Sequence, residues 1–129
     1  GAVYPPAGVR NFEAFITDSA LTRMFVMGSY QMMGAYLGNK IVGIISLRNK
    51  THISLLFVDK YYHKRGIGRA LIVSLSKYVK AEIGQNRITV NASPYGVDFY
   101  HRLGFQDIEP EKQQDGIIFT PMFLNIEGE

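Results

Sequence analysis

The chain contains no cysteine. That excludes disulfide staples, thiolate nucleophiles and zinc–thiolate centres, so any covalent chemistry would fall to another residue type. No apolar run approaches the roughly 20 residues needed to span a bilayer, and the opening residues lack a secretory signal. These absences lead us to expect a cytoplasmic protein that holds no metal and contacts no membrane. Charge is also scarce, at 19% of residues with a net excess of +3. The balance is that of a globular chain rather than a disordered one. The basic residues that cluster are Lys64, Arg65 and Arg69, confined to one loop. Without a broad basic face or a recognisable motif, no nucleic-acid partner is expected. Repeats, low-complexity tracts and linkers are missing too. What is present is 129 residues, 47% of them hydrophobic, which suits one compact domain over residues 1–129 with a core of its own.

Periodicity gives the elements. Pro5-Pro6 predicts the opening of a helix with Phe12, Phe15 and Ile16 along one face. Thr17 and Asp18 predict caps for a second short helix carrying Leu21, Met24 and Phe25. Residues 30–48 predict a β-hairpin around Gly38-Asn39, two residues that tolerate positive φ. Met32-Met33 within it reads as hydrophobic packing rather than a substrate wall. After a turn at Asn49-Lys50, the run HISLLFV over 52–58 predicts a strand buried on both faces. Ile67, Leu71, Leu75 and Val79 recur every four residues, with Ala70 and Tyr78 beside them. They predict an amphipathic helix from Gly66 to about Glu82, stopped by Gly84. RITVNA over 87–92 predicts a strand, Pro94 starts a helix ending at Leu103-Gly104, and residues 116–126 form a last strand. Pro121 suits an edge or a bulge there, and such an edge leaves room for a homodimer. The order predicts a mixed α+β domain with helices packed on a sheet.

The residues that carry chemistry lie between strand 52–58 and helix 66–82, in HKRGIGRAL. A helix start leaves backbone N–H groups unpaired and carries partial positive charge. Glycines at 66 and 68 let an anion approach that backbone closely, and Lys64, Arg65 and Arg69 add charge. A pyrophosphate would fit. A plain turn before a helix would show the same Gly-x-Gly. A Walker loop needs Gly-Lys-Ser/Thr, which is lacking. A dinucleotide fingerprint needs its first glycine directly after the strand and a third small residue after Gly68. Here about seven residues intervene after Val58, and Leu71 fills the third position.

His63-Lys64-Arg65-Gly66-Ile67-Gly68 resembles instead the Gln/Arg-x-x-Gly-x-Gly/Ala loop of the GNAT N-acetyltransferase family, with His63 where the family prefers Gln or Arg. LLFVDKYYHKRGIGRAL matches that motif over its length. NASPYGVDFYHRLGF, residues 91–105, resembles the family's later motif, a strand ending in Asn and a short helix ending Phe-Tyr-x-x-Leu-Gly-Phe. The two stand in the family's order, and the resemblance covers roughly residues 30–125.

The resemblance implies an α+β fold. Its central twisted sheet is mostly antiparallel with one splayed parallel strand pair, and helices pack on both faces. The family's first strand and helix find no match, so the front is expected to be shortened or the sheet closed by another route, such as a second subunit. The resemblance also implies acetyl-CoA as co-substrate and direct transfer of its acetyl group to a primary amine. Backbone groups of Leu56, Phe57 and Val58 would pair with the pantetheine arm, and Asn91 would lie beside it. His63, Lys64, Arg65, Gly66, Ile67 and Gly68 would hold the pyrophosphate, with Arg69 at its edge. Tyr100 matches the tyrosine that can protonate the leaving thiolate, though its position beside Tyr95, Phe99 and Leu103 also suits a core aromatic. The family often places a glutamate on the strand before the loop as general base. This stretch offers His52 and Ser54 and no acid, so the base stays unassigned. The acceptor is a small-molecule or peptide amine, which Glu109, Glu111 and Asp115 would attract if they are more than solvated loop charges. A non-catalytic acyl-CoA-binding module is the alternative.

Overall fold

A computed structural model describes residues 9–15, 20–27 and 29–127. Five strands run in antiparallel succession: β1 Val9–Phe15, β2 Ala20–Met27, β3 Tyr30–Leu37, β4 Lys40–Arg48 and β5 His52–Val58. Helix α1 (Ile67–Tyr78) follows, then β6 (Arg87–Ala92), α2 (Val97–Arg102), the short β7 (Gln106–Asp107) and β8 (Lys112–Gln114), and β9 (Ile117–Asn125). All nine strands join one sheet ordered β1-β2-β3-β4-β5-β6-β9-β7, with β8 paired to β9. The pair β5–β6 is parallel, so the predicted mostly antiparallel sheet with one parallel pair is what forms.

The two front helices do not form: their segments are β1 and β2. In β2, Thr22, Met24 and Val26 are buried while Leu21, Arg23 and Phe25 are partly exposed. This alternation is the period of a strand with one face in the core. Leu21, Met24 and Phe25 happen to be spaced three and four residues apart, which imitates a helix stripe. Pro5-Pro6, Ile16, Thr17 and Asp18 lie outside the described residues.

Helix α1 buries Ile67, Leu71, Ile72 and Leu75, and Val79 just beyond it, against β3, β4 and β5. Each such side chain contributes about 1.5–3 kcal/mol when fully buried. Gly43 of β4 faces this helix, and a Cβ there would stand 3.0 Å from Leu71 and 3.1 Å from Ile67. A hydroxyl pair, Thr22 Oγ1 and Ser74 Oγ at 2.9 Å, joins helix to sheet. The helix continues as a π-helical turn over Val79–Ile83 and stops at Gly84, whose φ of 78° is left-handed. Among the described residues no helix is long and apolar enough to cross a membrane.

Two further expectations change. Strand β5 is not buried on both faces: Ile53 is buried, but Leu55 and Phe57 are 48% and 57% exposed. They share the sheet face turned away from α1, which no described helix covers at this place. Strand β9 is not an edge, because β6 pairs with one side of it and β7 and β8 with the other. Pro121 is tolerated because Ile108 N–H donates to its carbonyl at 2.7 Å. A residue's N–H and C=O point the same way in a strand, so the missing N–H falls in the break between β7 and β8.

Candidate active site

The site originates in a one-residue irregularity. In the β4–β5 ladder Leu47 opposes Ile53 and Ser46 opposes Leu55, leaving Ser54 unopposed. Such a bulge bends its strand and can end pairing on the other side. Parallel pairing of β5 with β6 accordingly covers only His52↔Thr89 and Ile53↔Val90. Past the bulge the strands part, and a cavity of about 790 Å³ lies between them. Asp59 N–H donates to the Val42 carbonyl at 2.9 Å. Alternation along an antiparallel pair then makes Ile44–Phe57 hydrogen-bonded, and Gly43–Val58 and Ile45–Leu56 not. Leu56 and Val58 therefore turn their backbone groups into the gap. Phe57, expected to do the same, uses its own on β4 and does not line the cavity.

The loop after β5 aims a helix terminus at this gap. Asp59 accepts the Tyr61 N–H at 2.9 Å and starts a single 3-10 turn, Lys60–Tyr62. His63 Nε2–H donates to the Val58 carbonyl at 2.9 Å, tying the loop to the strand end. Lys64 and Gly66 both take left-handed φ, 63° and 79°, which reverses the chain. Helix α1 then begins without a side-chain cap. Its first backbone acceptor, Gly66 C=O, is taken by Ala70 N–H at 2.9 Å, so the N–H groups of Ile67, Gly68 and Arg69 have no helical partner. All three residues line the cavity, as do His63, Lys64 and Gly66. Lys64, Arg69 and Arg102 supply positive charge, and no carboxylate lines the cavity among the described residues. Unpaired N–H groups beside cations in a concave site fit a pyrophosphate. Gly68 has a second reason to be glycine: a Cβ would stand 3.1 Å from the Phe99 ring. Arg65 does not line the cavity, and its guanidinium stands over the Tyr62 ring at 5.3 Å.

Asn91 and Tyr100 reach the same cavity from β6 and α2. Tyr100 is also part of the core, packed edge-on against Phe99 and Phe105 at 5.1 and 5.0 Å. Tyr100 thus is a core aromatic that also borders the cavity. Burial pushes its phenol up to about 12. His52 lies at the closed end of the parallel pair, where its Nδ1 shares a hydrogen bond with Thr89 Oγ1 at 2.8 Å. Burial, and then Arg48 beside it, lower its pKa. It does not line the cavity. Ser54 does, sharing a hydrogen bond with Ser46 Oγ at 2.9 Å.

The family model for the acetyltransferase (GNAT) domain matches residues 2–126. The chain belongs to the GNAT acetyltransferase family. It is 33% identical over 95 residues to YafP of Escherichia coli (strain K12), described as an uncharacterized N-acetyltransferase. That match covers 73% of this chain and 59% of YafP, so the chain spans about three-fifths of its relative's length. A GCN5-related N-acetyltransferase of Rhodopseudomonas palustris superposes with a TM-score of 0.68 at 27% identity, over 78% of this chain and 64% of that one. An aminoglycoside 6'-N-acetyltransferase complexed with coenzyme A shares the fold, with a TM-score of 0.67 at 17% identity, over 79% and 76% of the two chains.

In this GNAT domain the cavity is also lined by Tyr62 in the loop and Phe99 against Gly68, to which the sequence assigned no site role, and by Ser54 at the bulge, named from sequence only where a base was sought. The pair Tyr61-Tyr62 inside a basic loop was the available signal for one of them. Glu109, Glu111 and Asp115 line neither this cavity nor another beside Ser54 among the described residues. Glu109 instead pairs with Lys112 at 2.8 Å.

Proposed function

We propose that this GNAT domain takes acetyl-CoA in the gap between β5 and β6 and transfers the acetyl group directly to a primary amine. One observation carries the reading. The uncapped start of α1, with Lys64 and Arg69, opens onto the same gap that the backbone of Leu56 and Val58, Asn91 and Tyr100 line. Pyrophosphate would rest on the N–H groups of Ile67, Gly68 and Arg69, with Lys64 and Arg69 neutralising charge and His63 bracing the loop. Leu56 and Val58 would pair with the amide groups of the pantetheine arm, with Asn91 alongside. When bound, acetyl-CoA supplies the thioester carbonyl that a neutral amine attacks.

Two groups of the chain would serve the transfer. A backbone N–H of β5 turned into the gap would donate to the carbonyl oxygen as negative charge gathers there. Tyr100 remains protonated throughout the physiological range because burial holds its phenol near 12. Full transfer from a phenol held that high to an alkyl thiolate, the weaker base, runs uphill. Its contribution is then a hydrogen bond to the departing sulfur, with solvent completing protonation. No cysteine nucleophile is needed for this route.

The test is steady-state acetylation of an amine panel by the whole chain beside Tyr100→Phe. Loss of one donor at the leaving group should lower kcat by about 100-fold, with KM for acetyl-CoA within about twofold because packing is kept. Equal turnover by the variant would remove Tyr100 from the mechanism. Tight acetyl-CoA binding without turnover of any amine would make the domain a binding module.

A further inference from the structure

A second cavity, of about 720 Å³, meets the first at a single shared lining residue, Ser54. Its walls come from the sheet face turned away from α1. Met32 and Ser46 are cross-strand partners, and Tyr30 and Arg48 stand one alternation further on. Tyr30 and Met32 are 69% and 38% exposed, an apolar wall with no described cover. The charged side chains of the lining are Arg48 and Lys50, and no carboxylate accompanies them among the described residues. Neither cation has a salt bridge among the described residues. The turn that carries Lys50 is strained: Asn49 and Lys50 have φ of 54° and 71° in succession, a geometry that favours Asn-Gly. The lysine, where glycine would fit better, sets a cation at the rim of the cavity.

We infer that this second cavity receives the acceptor, and that the acceptor is an amine bearing a carboxylate beside an apolar group, the chemistry of an apolar α-amino acid. The inference rests on the proposed transfer reaction and adds the substrate class. Arg48 and Lys50 take the carboxylate, Tyr30 and Met32 cover the apolar group, and the amine points past the Ser46–Ser54 hydroxyl pair toward the gap. Polycationic amines are disfavoured by the same two charges. Met32 thus lines a cavity wall while Met33, 3% exposed, is core.

The test titrates the whole chain, in the presence and absence of coenzyme A, with L-phenylalanine, L-phenylalaninamide and spermidine. L-phenylalanine should bind most tightly. Arg48→Ala, at an exposed site, should weaken it by about tenfold, as expected for losing a charge-assisted contact. The same change should leave phenylalaninamide and acetyl-CoA within about twofold, and Arg48→Lys should restore part of the loss. Spermidine or the amide binding as tightly as L-phenylalanine, an Arg48→Ala variant that binds it normally, or no binding of L-phenylalanine at all would each overturn the inference. Arg48-dependent binding of L-phenylalanine in a chain that does not bind acetyl-CoA would strike the donor assignment and leave the acceptor class standing.

Discussion

The Tyr100 hydroxyl has no hydrogen-bond partner among the described residues, yet the residue is only 7% exposed and its ring packs on Phe99 and Phe105. That combination makes it titrate late and ties protonation to stability. The phenol is held near 12 in the folded chain against an ordinary 10.0. Because the folded value is the higher one, the associated stability is fully present below pH 10 and is lost as pH rises through 12. The loss amounts to about 2–3 kcal/mol. Urea unfolding across pH 9–12 should show the parent losing that much stability relative to Tyr100→Phe. A constant difference would mean the phenol is not buried as described. At this scale the sequence was informative about residue types at fixed spacings, such as His63, Gly66 and Asn91. It could not tell that Phe57 uses its backbone on β4 or that Arg65 stacks on Tyr62, because both follow from which way a strand and a loop turn.

Among the elements, β3 to β6, α1 and β9 were legible because each has one clear period and turn residues at its ends. The failures came where two periods overlap. Leu21, Met24 and Phe25 satisfy helix spacing, while Thr22, Met24 and Val26 satisfy the strand alternation that the sheet selects through pairing with β3. Strand β5 reads as buried throughout, but of its outer apolar residues Leu55 borders the first cavity and Phe57 is exposed. The bulge at Ser54 left no composition signal, since any residue can be the extra one in a ladder. The turn between β4 and β5 gives a prediction of its own. Lys50→Gly relieves a left-handed φ that costs a side-chain residue about 1–2 kcal/mol, offset by glycine's greater unfolded entropy. A net gain of about 0.5–1 kcal/mol is expected, read as a raised urea midpoint. A lower midpoint would mean the lysine stabilises the turn by contacts that its φ does not reveal.

For the molecule as a whole, the proposed function follows from where the sheet fails to stay closed. Five antiparallel strands and α1 form a rigid frame, and β6 is held by two ladder pairs before it diverges. The resulting gap receives the start of α1 from one side and α2 from the other. Cations border both cavities and carboxylates border neither among the described residues, so unopposed positive charge stands where anions would sit. Charge placement was only half legible: HKRGIGR announced itself, whereas Arg48 and Lys50 become neighbours of Ser54 only through the β4–β5 turn. The most direct measurement is calorimetric titration of acetyl-CoA into the whole chain at two temperatures, beside the double variant Lys64→Glu/Arg69→Glu. Both residues are exposed, so the fold should stand. Dissociation constants of about 1–100 μM, corresponding to roughly 5–8 kcal/mol of binding free energy, and a loss of at least about tenfold in the double variant are expected. Absence of heat at both temperatures from folded protein, or equal binding by the double variant, would contradict the assignment of the gap as the acetyl-CoA site.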